Sequence, residues 1–180
     1  MAKNILVLVG SPRHNGNTEL LADAFIKGAI EDGNTVTKYA LQGKKILPCT
    51  DCQACYKTGQ CILQDDMNEV YGLLRSTDIL VLASPVYFYG ISAQLKALLD
   101  RLHNPVRDTF PIKASLLLSV CADNDDEAFI PSIAMYKAIG RYLGWEDKGI
   151  VTASYVENKG DIAGRAELNL AYELGKQVGK

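Results

Sequence analysis

Short, nearly continuous apolar runs alternate with amphipathic stretches along most of the chain, and this alternation constrains the fold more than any other feature. "NILVLVG" (4–10) and "ASLLLSVC" (114–121) are apolar at almost every position, which is typical of parallel strands covered on both faces. Between such runs, "NTELLADAFIKGAIEDG" (17–33) places apolar residues at helical spacing and ends on a glycine. Strands and helices therefore alternate, and this pattern predicts a parallel sheet with helices on both faces.

The remaining apolar runs bring the number of predicted strands to five. They are "NTVTKYAL" (34–41), "DILVLASP" (78–85) and "WEDKGIVTAS" (145–154). Five strands fit the flavodoxin-like order 2-1-3-4-5, whereas a six-stranded dinucleotide-binding sheet would need one strand more. The predicted fold is an α/β, flavodoxin-like three-layer sandwich with a five-stranded parallel sheet. We expect one domain over residues 1–180, with a cysteine-rich loop at residues 47–66.

Composition and charge exclude several classes of protein. The chain has 180 residues, 48% of them hydrophobic, and a formal net charge of −2. That charge argues against a protein that binds nucleic acid or an anionic membrane through bulk electrostatics. No apolar run approaches the roughly 20 residues that span a bilayer. Because "MAKNILVLVGSPR" (1–13) is interpreted as a strand rather than a signal peptide, we expect a cytoplasmic protein.

The loop after the first predicted strand, "VGSPRHNGNTELL", has the features of an anion site. A helix N-terminus offers free N–H groups and the positive end of the helix dipole. Ser11, Asn17 and Thr18 add donors, Arg13 adds a charge, and Gly16 lets the backbone approach a ligand closely. The loop carries neither a Walker A nor a GxGxxG pattern. It predicts a phosphate site, and a plain polar turn capped by Asn17 or Thr18 is the alternative.

The loop after the third predicted strand is rich in aromatic residues. Tyr87, Phe88 and Tyr89 follow Pro85 directly, and aromatics beyond a parallel strand suit a flat, partly apolar ligand. The predicted ring site consists of Pro85, Val86, Tyr87, Phe88, Tyr89 and Gly90. The alternative is that the tyrosines pack against a neighbouring loop. Because both loops lie at the carboxyl edge of the sheet, a phosphate at one and a flat ring at the other describe FMN.

Three stretches resemble a known family: "GSPRHNGNT", "SPVYFYGISAQLKALLDR" and the cysteine stretch with "DDM" after it. They resemble the flavodoxin-like NADPH-dependent FMN reductases and, more narrowly, the iron–sulfur flavoproteins. The resemblance covers most of residues 4–125. It implies that the FMN phosphate is bound at Ser11, Arg13, Asn17 and Thr18. It also implies that the isoalloxazine ring lies against residues 85–89.

The resemblance has further implications for partners. It implies homo-oligomers, a homodimer or homotetramer, in which the cluster of one subunit approaches the flavin of a neighbour. The electron donor stays open, because reduced nicotinamide has no fingerprint here and ferredoxin is equally compatible. NAD(P)H, a quinone or ferredoxin are the expected redox partners. Arg101 lies in the helix that matches the family, and we interpret it as a structural or surface residue and an interface candidate.

Four of the five cysteines lie within thirteen residues, at Cys49, Cys52, Cys55 and Cys61. The first two gaps of two residues resemble the C-x2-C-x2-C core of bacterial ferredoxins. The last gap has five residues and is followed by Ile62 instead of proline, so Cys61 would have to fold back and complete the same cluster. The resemblance to the compact iron–sulfur flavoproteins implies a [4Fe–4S] cluster bound by all four cysteines.

Three alternatives for these cysteines stay open. Structural zinc takes four cysteines, although its sites usually pair two knuckles across a longer gap. A redox-active thiol pair is possible in a C-x-x-C segment. The segment, which is expected to be loop-like, is also compatible with reduced cysteines that bind nothing. Cys121 ends the fourth strand at the ligand edge, and we interpret it as a small buried apolar residue.

Together these features predict an FMN-binding oxidoreductase in which the flavin, rather than a catalytic side chain, carries the chemistry. With a [4Fe–4S] cluster the protein would couple two-electron and one-electron partners. A cluster-free NAD(P)H-dependent FMN or quinone reductase is the alternative. A flavodoxin-like electron carrier without enzymatic activity, or a zinc-binding protein, is a third reading of the same sequence.

Overall fold

The computed structural model describes residues 1–180 and contains six strands and six α-helices. The strands are β1 (Asn4–Val9), β2 (Thr35–Ala40), β3 (Ile79–Tyr87), β4 (Gly90–Ile91), β5 (Ala114–Val120) and β6 (Glu146–Ala153). The helices are α1 (Asn17–Glu31), α2 (Ala54–Thr58), α3 (Met67–Leu74), α4 (Ala93–Asp100), α5 (Ile130–Leu143) and α6 (Ala166–Gln177). None of the helices has both the length and the apolar character that a membrane span requires.

The five long strands are parallel and follow the order β2-β1-β3-β5-β6. Numbered along the chain without the short β4, this is the order 2-1-3-4-5, so the predicted flavodoxin-like fold is confirmed. The topological switch point of the sheet lies between β1 and β3, because the chain adds β2 on one side of β1 and the later strands on the other. Ligands of such sheets bind beyond the carboxyl ends of the strands at this point. The fold therefore predicts a ligand site formed by the loops after β1, β3 and β5.

Alternate side chains of β1 enter two different cores. Val7 packs in the core under α1 and α6, together with Phe25, and Leu8 packs on the other face with Leu95 of α4. The helices α1 and α6 approach so closely that a Cβ at Gly28 or Gly175 would collide with the carbonyl of the opposite helix. Both faces of the central strands are thus covered, which explains why these strands are apolar at nearly every position.

Two local features differ from the sequence prediction. The cysteine stretch is not loop-like throughout, because α2 occupies residues 54–58 within it. The third strand extends past Pro85 to Tyr87 and turns into β4, which pairs with it in an antiparallel hairpin. Phe88 and Tyr89 form the turn, and both have positive φ angles of 48° and 63°. A two-residue hairpin of this kind needs two left-handed residues, which costs about 1–2 kcal/mol for each non-glycine residue.

Candidate functional site

A cavity of about 190 Å³ lies at the carboxyl edge of the sheet, between the loops that follow four of the parallel strands. It is lined by Ser11, Arg13, Gly16, Asn17, Thr18, Pro85, Val86, Tyr87, Val120, Cys121, Ala122, Val156 and Glu157. The structure thus brings together every predicted residue of the first loop and Pro85 to Tyr87 of the hairpin. Phe88, Tyr89 and Gly90 do not line the cavity, and the Phe88 side chain is fully exposed.

The N-terminus of α1 faces this cavity without a side-chain cap. Gly16 occupies the N-cap position, and no side chain accepts a hydrogen bond from the first turn. The backbone N–H groups of Gly16, Asn17, Thr18 and Glu19 have no acceptor in the protein. The helix cap predicted at Asn17 or Thr18 for the alternative of a polar turn is therefore wrong, because Gly16 is the N-cap. Unpaired N–H groups at the positive end of a helix dipole form an anion-binding arrangement.

The Asn17 side chain builds the wall of the cavity. Its amide nitrogen donates to the carbonyls of Val156 and Asn158 at 3.3 and 2.8 Å. Its oxygen accepts the N–H groups of Gly160 and Ile162 at 3.0 and 3.3 Å. Both ends of the amide are thus engaged with the loop after β6. Asn17 fixes that loop against α1, and only its backbone N–H is free toward the cavity.

Arg13, Ser11 and Thr18 supply the other polar groups of the first loop. The Ser11 hydroxyl accepts the Arg13 N–H at 3.1 Å, which tightens the turn. The Arg13 guanidinium donates to the carbonyl of Glu157 at 3.0 Å and so crosses toward the loop after β6. Thr18 is 2% exposed, and its hydroxyl has no hydrogen-bond partner in the protein. A positive charge and an unused hydroxyl therefore lie beside the uncapped helix end.

The Glu19 carboxylate lies in the first turn of α1, and Lys38 offsets its negative charge. The Glu19 side chain accepts the Asn15 N–H at 2.6 Å and pairs with Lys38 at 3.0 Å. Burial raises the pKa of the Glu19 carboxyl, but the Lys38 ammonium and the Asn15 N–H outweigh burial and lower the pKa below its ordinary value. Glu19 is therefore ionised, and Lys38 offsets its charge near the anion-binding turn.

Three buried serines fix the hairpin that forms the opposite wall. The Ser84 hydroxyl accepts the Ser92 N–H at 2.9 Å and donates to the Pro85 carbonyl at 2.8 Å. The Ser119 hydroxyl donates to the Ser84 carbonyl at 3.0 Å. All three serine residues are fully buried. They tie β3 to the start of α4 and to β5, so residues 85–87 are held rigidly beside the cavity.

Cys121 forms part of the cavity wall after β5. The residue is buried, as predicted, and its thiol donates to the carbonyl of Asp123 at 3.4 Å. Burial raises the pKa of the Cys121 thiol, so the side chain is a neutral, weakly polar group. Val156 and Glu157 also line the cavity and were missed by sequence reasoning. The only sequence signal for them is their position just after the fifth long strand.

A second cavity, of about 250 Å³, is lined by all four clustered cysteines. Cys49 and Cys52 are exposed, and Cys55 and Cys61 are half-buried. Cys61 therefore does fold back to the same cavity as the other three. The four sulfurs are not gathered around one point, and the chain has no group of three or more His, Cys, Asp or Glu side chains arranged to hold a metal ion. No residue lines both cavities.

A buried ion pair adjoins the cysteine cavity, and one of its members, Arg101, lines that cavity. Arg101 and Asp65 have side chains that are 1% and 0% exposed, and their Nη1 and Oδ2 atoms are 2.5 Å apart. Arg101 also donates through Nη1 to the Leu47 carbonyl at 3.3 Å and through Nη2 to Cys61 Sγ at 3.4 Å. Its Nε is buried without a partner. Of the two interpretations of Arg101, structural or surface, the structure supports the structural one, because Asp65 neutralises the side chain inside the protein.

The same pair closes the base of the cysteine-rich loop. Asp65 accepts the N–H groups of Leu47 and Met67 at 2.8 and 3.1 Å. Burial raises the pKa of the Asp65 carboxyl, but the Leu47 N–H and the Arg101 guanidinium lower it below its ordinary value. Burial alone would lower the pKa of Arg101, and Asp65 raises it instead. Both groups are thus charged, and they hold residues 47 and 65 together at the two ends of the loop.

The sheet order and the position of the first cavity define a flavodoxin-like α/β protein. Residues 3–128 match the NADPH-dependent FMN reductase family. The chain belongs to this family of flavin-dependent oxidoreductases, and membership of the family indicates FMN as its cofactor.

Individual relatives are consistent with this assignment. The chain is 31% identical to an iron–sulfur flavoprotein of Archaeoglobus fulgidus over 95% of its own length and 76% of that protein. It is 38% identical to an iron–sulfur flavoprotein of Methanocaldococcus jannaschii, over 61% of this chain and 56% of that protein. Among solved structures, an NAD(P)H:quinone oxidoreductase from Methanothermobacter marburgensis superposes with a TM-score of 0.78 at 16% identity, covering 99% of this chain and 100% of that one. That structural match shows the shared fold.

Proposed function

We propose that the protein is an FMN-dependent oxidoreductase that carries a [4Fe–4S] cluster in the cysteine cavity and couples two-electron with one-electron partners. The observation that carries the proposal is the pairing of an uncapped helix N-terminus with four cysteines on a second, separate cavity. When bound, FMN supplies hydride and single-electron chemistry, and the cluster supplies single-electron transfer. The protein's own groups bind and orient these cofactors.

The phosphate of FMN fits the first loop. Four backbone N–H groups of residues 16–19 lack protein acceptors, and the Thr18 hydroxyl is unused. Arg13 adds the positive charge that a dianionic phosphate favours. Such a site needs an acceptor that the protein does not supply, and a phosphate supplies three. In this proposal Asn17 acts through its backbone N–H, while its side chain holds the loop after β6 in place.

The isoalloxazine ring fits the slot between the hairpin and the end of β5. Residues 85–87 form one wall and Cys121 and Ala122 form the other. Because the Ser84 and Ser119 hydroxyls and the Ser92 backbone N–H fix this hairpin, the wall is preorganised for a flat ring. Phe88 and Tyr89 project at the tip of the turn, where they would contact a ring or substrate only at the mouth of the site.

The cysteine cavity fits an iron–sulfur cluster in ligand type and number. Four cysteine thiolates are the ligand set of a [4Fe–4S] cluster, and all four line one cavity. A buried cation with an unpaired Nε and a contact to Cys61 suits a negatively charged, sulfur-rich group. Cys49 and Cys52 are exposed on a loop whose base is fixed by Asp65, so metal binding would order the loop itself.

A cluster-free NAD(P)H-dependent FMN or quinone reductase is the second candidate. The separation of the four sulfurs favours it, since a site that needs no metal has no reason to gather them. The fold shared with a quinone oxidoreductase is consistent with it. In both candidates NAD(P)H is the proposed donor, with ferredoxin as the alternative, and a quinone or a protein is the acceptor.

We also propose that the working unit is a homodimer or homotetramer. The two cavities lie at opposite ends of α4, since residues 85–87 adjoin its start while Asp100 and Arg101 adjoin its end. Eight helical residues separate these ends by about 12 Å. A neighbouring subunit that brings its own cysteine cavity to the flavin mouth would shorten the path between cofactors. Light scattering of the purified protein tests this assembly.

Cysteine variants distinguish the two candidates. Anaerobically purified Cys49→Ser and Cys61→Ser proteins should keep FMN, lose iron, and reduce a one-electron acceptor more slowly than the wild-type protein. Cys121→Ser removes a cysteine outside the cysteine cavity and should keep its iron. If Cys49→Ser and Cys61→Ser reduce one-electron acceptors at the wild-type rate, the cluster-free reductase is the better account.

A further inference from the structure

We propose that Arg101 is a positioning residue for the cluster, which fixes Cys61 as the fourth ligand and raises the reduction potential of the cluster through an N–H···S hydrogen bond. This inference rests on the proposed function, because it requires a cluster in the cysteine cavity. It assigns a specific task to a residue whose sequence context indicates only a helix end.

The Arg101 guanidinium has one donor nitrogen on the Cys61 sulfur and one without any partner in the protein. Nη1 is engaged by Asp65 and the Leu47 carbonyl, and Nη2 donates to Cys61 Sγ at 3.4 Å. Nε is buried and has no acceptor in the protein. Since buried donors in native proteins are nearly always paired, an unpaired donor on a residue that lines the cysteine cavity favours an acceptor that is bound there. Sulfur atoms of a cluster and its ligands are such acceptors.

Cys61 is spaced differently from the other three clustered cysteines. The five-residue gap before it does not follow the ferredoxin pattern, so the local backbone alone does not set its position. In the structure Cys61 packs against the apolar core on the α4 side of the sheet, while Cys49 and Cys52 are exposed. Arg101 is the side chain that contacts its sulfur. Cys61 and Arg101 thus form the side of the cavity that is packed against the core, whereas Cys49 and Cys52 lie on its exposed side and Cys55 is half-buried.

The positive charge of Arg101 and its N–H···S contact affect the reduction potential of a cluster in this cavity. Reduction adds one negative charge to a cluster, and a hydrogen bond to a ligand sulfur stabilises the more negative state. Arg101 is 1% exposed, so water and salt screen its field poorly. Asp65 offsets part of its charge but leaves the N–H···S contact in place. The wild-type cluster should therefore have a higher potential than a cluster without this contact.

The test compares Arg101→Lys and Arg101→Met with the wild-type protein, after anaerobic reconstitution with iron and sulfide. Lysine keeps the positive charge but loses the planar donor fork, whereas methionine loses both. Arg75→Met is the matched control, because Arg75 is exposed directly after the end of α3 and forms no ion pair. The cluster and flavin midpoint potentials are measured separately, by electron paramagnetic resonance and visible redox titration, with iron counted in each sample.

We expect the cluster potential to fall from wild type to Arg101→Lys and further to Arg101→Met. The expected fall for methionine is about tenfold in the one-electron equilibrium constant, or about 59 mV, with less iron retained. The flavin potential should stay constant in all samples, and Arg75→Met should match wild type. Should Arg101→Met fail to fold, Arg101→Lys still decides the question.

Two outcomes overturn the inference in different ways. A wild-type protein that binds FMN but takes up no iron removes the cluster, and with it both the proposed function and this inference. A wild-type protein with a full cluster whose potential is unchanged in Arg101→Lys leaves the proposed function standing and removes the role of Arg101. An equal shift of the cluster and flavin potentials would also overturn it, since that result indicates a general structural effect.

Discussion

Arg101 Nη1 and Asp65 Oδ2 lie 2.5 Å apart with both side chains out of contact with solvent. The two residues are 36 positions apart in the chain, and their contact joins the end of α4 to the base of the cysteine-rich loop. Because Asp65 also accepts the Leu47 N–H, the pair fixes both ends of that loop. The cysteine cavity thus has a rigid base beneath exposed cysteines.

Asp65→Asn should lower the free energy of unfolding by about 3–5 kcal/mol, because it leaves the Arg101 cation buried without a counter-charge. Chemical denaturation at neutral pH measures this difference. An Asp65→Leu/Arg101→Met double variant removes both charges, and it should recover most of the lost stability. A double variant that is less stable than Asp65→Asn would show that the charge pair itself, rather than the avoidance of an unpaired charge, stabilises the protein.

The ion pair also predicts the direction of an acid effect. The folded-state pKa of Asp65 is below the ordinary value of 3.8, so the unfolded chain takes up the proton first as pH falls. The stabilisation is complete above the ordinary pKa and is lost as pH falls below 3.8 through the folded-state pKa. Denaturation curves between pH 6 and pH 2 should show a steeper loss for the wild-type protein than for Asp65→Asn. Parallel curves for the two proteins would contradict this assignment.

Arg13→Ala tests the phosphate site. Loss of a hydrogen bond to a charged group should weaken FMN binding by about 1.5–3 kcal/mol. Riboflavin, which lacks the phosphate, is the matched control ligand, and its affinity should change little. Calorimetric titration of the flavin-free protein measures both affinities. An equal loss for FMN and riboflavin would place Arg13 at the ring rather than at the phosphate.

Asn17→Ala tests the wall after β6. Four hydrogen bonds to residues 156–162 are removed, and the partners at the buried residues Val156 and Ile162 are left unpaired inside the protein. The free energy of unfolding should fall by about 2–4 kcal/mol, and FMN affinity should fall with it. Asn68→Ala is the control, since that amide contacts only the exposed Gln64. Equal stability of the two variants would show that the loop after β6 is held by other contacts.

The hairpin turn predicts a stabilising change. Phe88→Asn with Tyr89→Gly gives the residues that a two-residue turn with two positive φ angles prefers. Relief of the left-handed strain at position 89, where glycine replaces tyrosine, should by itself raise the free energy of unfolding by about 1–2 kcal/mol. FMN binding should persist, because neither side chain lines the cavity. Loss of FMN from this variant would mean that the exposed aromatics hold the flavin directly.

The parts of this fold that follow from local pattern could be predicted from the sequence. β1 and β5 are buried on both faces and therefore appear as nearly continuous apolar runs, which identified them as strands, while the count of five strands predicted the sheet order. The helix α2 was missed because five residues give too little periodicity to separate a helix from a loop. The hairpin of β3 and β4 was missed and interpreted as a loop, because Phe88 and Tyr89 occupy a two-residue turn for which Asn-Gly is the usual sequence signal.

The residues of the candidate site likewise separate into those that local sequence pattern could predict and those that it could not. Ser11, Arg13 and Thr18 could be assigned to one cavity because they lie close together in the chain, in the loop before α1 and its first turn. The choice between a structural and a surface role for Arg101 stayed open because its burial depends on Asp65, and no local pattern reveals a partner 36 positions away. Val156 and Glu157 were missed for a similar reason, since the Asn17 amide brings their loop to the cavity from the far end of the chain. Contacts of this kind become visible only once the chain is folded.

The most direct test of the proposed function is the content of iron and acid-labile sulfide per bound FMN in protein purified without oxygen. A [4Fe–4S] cluster in the cysteine cavity predicts about four iron and four sulfide per FMN, together with broad visible absorption beneath the flavin bands. A protein that is saturated with FMN and contains neither iron nor sulfide would contradict the account and leave a cluster-free flavin reductase.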